Sequence, residues 1–117
     1  MNTQNKALDA STVIKKLRKS ISLLSESIDK SRITLRKKDN ISEDVFNRLD
    51  SYDMVVAKQN QLVDTLEKLV RVDPKTTEVL KTIEKINKLS TFIRDDAKEL
   101  LHGLSGLTHT NNKKDMH

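Results

Sequence analysis

Apolar residues recur at steps of three and four along three stretches of the chain. The first carries Ile14, Leu17, Ile21, Leu24 and Ile28. The second carries Val45, Leu49, Tyr52, Val56, Val63, Leu66 and Val70, and the third Val79, Ile83, Ile86, Ile93, Ala97, Leu100 and Leu104. This rhythm lays one apolar seam along one face of a helix. Such a seam is buried only against another helix, so the predicted fold is all-α: three long helices in an antiparallel up-down-up bundle of coiled-coil type. The alternative is an open hairpin that completes its core with a second copy or another chain.

Cap and break signals set the predicted boundaries. Ser11 or Thr12 can cap the first helix, which is expected over 12–38. Asn40 or Ser42 can cap the second, expected over 43–71, with Glu43 and Asp44 against the positive pole of its dipole; Asn40 and Glu43 have the spacing of a capping box. Asp73-Pro74 marks the next boundary, with proline at the first position of a third helix over 74–104. A single helix kinked at Pro74 is the lesser alternative. Gly103 and Gly106 are stop signals. Residues 1–11 and 105–117 are expected to be a disordered N-terminal and a flexible C-terminal polar tail.

Two polar residues interrupt the seams. Folding the second helix back on the third about residue 73 sets Gln59 near the level of Asn87 to Ser90. Gln59 and Ser90 are therefore expected to form a polar layer inside the bundle, which would fix register at some cost in stability. The plainer reading lets Gln59 reach solvent.

Composition narrows the function classes. The chain has 117 residues, 3% aromatic residues, two glycines, one proline and no cysteine. That is one domain with an aliphatic core and too few turn residues for an all-β or α/β fold. Disulfides, zinc-thiolate sites and cysteine catalysis are excluded together. No apolar run is long enough to cross a membrane, and Met1 to Ala10 lacks the apolar core of a secretory signal, so a cytoplasmic protein is expected. His102, His109 and His117 have no metal-ligand spacing, and no glycine-rich phosphate loop or nucleophile motif occurs. His102 reads as a helix-end residue, and Asp95, Asp96 and Glu99 as a solvated helix face. No catalysis, cofactor, metal or small-molecule substrate is expected.

Charge is where the sequence becomes uneven. The net +5 conceals a strongly basic first helix and an acidic second one. Lys15, Lys16, Arg18, Lys19, Lys30, Arg32, Arg36 and Lys37 form a candidate face for anionic partners, either nucleic acid or anionic lipid. With Ile14 at heptad position a, Arg18 and Arg32 fall at e, Lys16, Lys30 and Lys37 at c. No aromatic residue lies in this helix to stack on bases. The competing reading pairs the basic helix with the acidic one inside the bundle.

A second apolar edge lies beside the seams. Val55, Leu62 and Leu69 repeat on the second helix, and Leu80, Leu89, Phe92 and Leu101 lie off-seam on the third. Part of this widens the core as a three-helix bundle requires. The remainder is a candidate edge for a partner helix or a second copy.

The stretch Lys58-Gln59-Asn60-Gln61-Leu62-Val63 through Leu66-Glu67 resembles, in pattern, small helical secretion chaperones of the flagellar type. The likeness covers one helix. It implies a secretion-type chaperone. Taken with the seams, the expected function is a non-catalytic protein–protein interaction module: an adaptor, an assembly chaperone or a subunit of a larger helical complex.

Overall fold

The computed structural model describes helices α1 (Asn2–Arg36), α2 (Glu43–Val72) and α3 (Thr77–Met116), and the side chains of residues 10–104. There is no strand among the described residues. The three helices pack against one another, with α2 central: it lies along both α1 and α3, while the outer two meet each other far less.

The seam residues fill the core. Ile21 and Ile28 of α1, Leu49, Tyr52, Val56, Val63 and Leu66 of α2, and Val79, Ile86 and Ile93 of α3 are all buried. Each such side chain contributes about 1.5–3 kcal/mol by leaving water. Ile14, Leu17, Leu24, Leu35, Ile83, Ala97 and Leu100 pack partly buried around them. Phe46, which the seam omits, is buried as well. A helix between two neighbours needs a wider apolar face than a single seam, and Val45 with Phe46 supplies it at the start of α2.

The α1–α2 link starts two residues earlier than expected. Helix α1 stops at Arg36, and the N–H groups of Lys37 and Lys38 donate to the carbonyls of Thr34 (3.3 Å) and Leu35 (3.1 Å). Asn40 takes the left-handed conformation (φ 67°), which asparagine tolerates better than most residues. Because Asn40 turns the chain there, Ser42 is the N-cap, accepting from the Asp44 N–H at 3.1 Å, and the Asn40–Glu43 capping box is not formed.

Two separate helices replace the kinked alternative at Pro74, and the expected start of the third helix is corrected. Asp73 is extended (φ −160°, ψ 106°), as a residue preceding proline prefers. Its Oδ1 accepts from the Lys75 N–H at 3.0 Å and closes a side-chain-capped turn, so Pro74 sits in that turn. Thr76 then caps α3: the Val79 N–H reaches its carbonyl at 3.1 Å and its Oγ1 at 3.4 Å.

Gly103 does not end α3, which continues past it. One exposed glycine costs about 1 kcal/mol in a helix, too little to stop it without a left-handed turn. His102 therefore lies on an exposed helical surface, not at a helix end. Of the two expected tails only Ala10 and Ser11 fall among the described side chains, and both lie within α1. Gly106, His109 and His117 lie outside the described side chains.

Candidate functional site

The basic residues of α1 divide between two flanks. Arg18 and Arg32, at heptad position e, turn toward α2. Arg18 pairs with Asp64 (3.0 Å) and Glu67. Arg32 pairs with Asp29 (2.8 Å), Asp50 (3.3 Å) and Asp53. Arg36 reaches Glu43 at 3.2 Å, and its guanidinium lies 3.7 Å from the centroid of the Phe46 ring. Partner numbers fall along α1 as they rise along α2. The arginine fork suits such shared carboxylates, and the aliphatic stems cover the apolar seam beneath. These half-exposed pairs each add no more than about 1 kcal/mol; their effect is mainly to set which flank of α1 meets α2.

The lysines behave differently. Lys15, Lys16, Lys19, Lys30 and Lys37 are exposed, and none makes an ion pair with the described residues. Lys16, Lys19 and Lys30 line two stretches of the cleft between α1 and α3. One, of about 390 Å³, lies among Lys16, Lys19, Ser20, Leu23, Leu24, Ser27 and Arg94. The other, of about 410 Å³, lies among Lys30, Thr34, Leu35, Lys38, Leu101 and Leu104. On the α1 wall small hydroxyl residues, Ser20, Ser27, Ser31 and Thr34, alternate with Leu23, Leu24 and Leu35.

The apolar edge also divides. Val55, Leu62 and Leu69 pack against the core and are half-buried. Leu89 is half-buried, and Leu80 and Phe92 are exposed. Leu101 is 61% exposed and stands on the wall of the α1–α3 cleft.

Gln59 is fully buried, and its Nε2 donates to the Ser90 Oγ at 2.6 Å and the Ile86 carbonyl at 3.0 Å. Its Oε1 has no partner. Two to three turns earlier on α2, Arg48 grips Asp96 with two N–H groups (3.2 and 2.8 Å), and the Tyr52 hydroxyl donates to the same carboxylate. Arg48 and then Tyr52, by hydrogen bonding, hold the Asp96 carboxyl below the usual carboxylate range. Burial, followed by the bond to Asp96, pushes the Tyr52 phenol up to about 12. Asp96 is thus a cross-helix anchor rather than part of a solvated face, whereas Asp95 and Glu99 are exposed. The signal for this was the tyrosine in the seam: a buried phenol needs a partner for its hydroxyl.

Lys38, Arg94 and the hydroxyl wall are the cleft residues that sequence reasoning missed. Arg94 lies on α3 and the rest on or just after α1, so only the packing brings them together. Among the described residues no group of histidines and acids is placed to hold a metal ion, and no helix is long and apolar enough to cross a membrane. No protein-family model, curated protein or solved structure matches the chain.

Proposed function

We propose that the chain is a non-catalytic protein–protein interaction module, an antiparallel up-down-up bundle that serves as an adaptor, an assembly or secretion-type chaperone, or one subunit of a larger helical complex. The observation that carries this reading is the apolar surface left over once the core is filled. Leu23, Ile33, Leu80, Phe92 and Leu101 are each more than half exposed, on helices whose own seams are buried. The falling partner numbers across α1–α2, and from Arg48–Asp96 to Gln59–Ser90 across α2–α3, support the antiparallel order. The titratable groups that do converge, Arg48, Tyr52 and Asp96, satisfy one another, which supports a structural role for them in place of a catalytic one.

Affinity capture with the full chain, coupled to mass measurement by light scattering, tests this. A protein partner or a second copy should be retained at a fixed stoichiometry through moderate salt. It should be lost when Leu80, Phe92 and Leu101 are replaced by serine. A monomer with no stoichiometric partner overturns the reading.

The second reading is an anionic polymer or membrane surface held by α1, and the unpaired lysines favour it. Its arginines are engaged with α2, so only the lysines remain available. Binding of a DNA duplex or of phosphatidylglycerol vesicles would then weaken steeply with salt, with a slope set by the phosphates neutralised.

A further inference from the structure

We propose that the cleft between α1 and α3 is a docking groove for an acidic amphipathic helix of a partner protein. The inference rests on the interaction reading above and gives it a place and a partner chemistry. Lys16, Lys19, Lys30, Lys38 and Arg94 border the groove, and no acidic residue lines either of its two stretches. On the α1–α2 flank, by contrast, every arginine of α1 meets carboxylates of α2. Here three cations border one stretch and two the other, with no counter-charge from the described residues. Leu23 and Leu101, 53% and 61% exposed, stand at its edges, with Leu35 part-buried between the helices.

A bare polyanion would satisfy the cations and leave the leucines in water. A purely apolar helix would cover the leucines and strand the ammonium groups. A helix with one apolar stripe flanked by aspartate or glutamate satisfies both at once. The α1 wall fits such a ligand: Ser20, Ser27, Ser31 and Thr34 are small, so a third backbone can approach, and their hydroxyls can donate to its side chains. The occupied groove would be a four-helix arrangement in which the guest supplies the neighbour that α1 and α3 do not supply each other.

Site-specific photo-crosslinking in the source cells tests the groove. A benzophenone amino acid replaces Ser27 in the groove or Ala57, exposed on α2, in the full chain, and the captured segment is mapped by mass spectrometry. The expected product at position 27 is one protein segment with apolar residues at helical spacing and acids beside them. That crosslink should be lost in the Lys16→Glu, Lys19→Glu, Arg94→Glu triple variant and kept in Lys58→Glu. The three reversed residues make no ion pair among the described residues, and circular dichroism checks that the helices persist. Crosslinking to lipid, to nucleic acid, or to a segment without acids overturns the groove. Crosslinks at 57 but none at 27 also overturn it while leaving the interaction reading intact, and no protein crosslink at either position removes both.

Discussion

Replacing Gln59 with leucine should stabilise the protein. The side chain is fully buried, and its Nε2 is well satisfied, but Oε1 has no donor. A buried unpaired acceptor costs about 1–3 kcal/mol, whereas the two bonds that leucine would forfeit are worth about 0.5–1.5 kcal/mol each. Leucine has a similar volume and adds apolar burial of about 1.5–3 kcal/mol. The substitution leaves no new orphan. The Ile86 carbonyl stays in the helical ladder of α3, and Ser90 can turn its hydroxyl onto that carbonyl one turn back, as Thr82 does on Glu78 at 2.7 Å. The net gain is about 1–2 kcal/mol, a rise in Tm of about 4–8 °C for a chain of this size. Thermal denaturation followed by circular dichroism measures it. A fall in Tm would refute the reasoning, because it would mean that Oε1 has a donor and that the glutamine is a net contributor. The same variant separates stability from specificity. If Gln59 and Ser90 fix the register of α2 on α3, Gln59→Leu should melt higher yet show a broader mass distribution by light scattering.

The remaining predictions concern the rim and the helix ends. Tyr52 is the only tyrosine, so the near-ultraviolet absorbance of tyrosinate titrates it alone; its midpoint should lie at about 12 and fall in Asp96→Asn. A phenol whose pKa is raised on folding stabilises below the ordinary value near 10, and that contribution is lost as pH rises through about 12. For Asp96 the sign is opposite: its lowered pKa contributes above the ordinary carboxylate value and is lost as pH falls through the lowered one, so Asp96→Asn should flatten the acid side of the stability curve seen in urea titrations. Ser42→Ala removes the N-cap of α2 and should cost about 1 kcal/mol in the same titrations, with no loss meaning that another group caps the helix. Gly103→Ala meets nothing within 4 Å and should gain up to about 1 kcal/mol; a loss would mean that Gly103 is not helical in solution.

The residues legible in the sequence are those whose role is set by periodicity. Ile21, Ile28, Val63, Ile86 and Ile93 are buried because one face of a helix cannot be left in water, and that face is written in steps of three and four. What was not legible depends on which flank meets which neighbour. The eight basic residues of α1 look like one face because heptad letters do not say where α2 lies. The acids do say it: Asp53 and Glu67 recur fourteen residues apart, as Arg18 and Arg32 do, so one flank of α1 is spoken for by α2. The lysines have no such counterpart on α3, whose residue at that level is another cation, Arg94. Arginine and lysine differ in kind here. A planar fork can bridge two carboxylates across a helix pair, and a compact, strongly hydrated ammonium is better left at the surface. Along α1, arginine where the helix meets α2 and lysine where it stays open is a division that residue type carries and net charge conceals. It makes the open side of α1 the side on which a partner's charge would be felt.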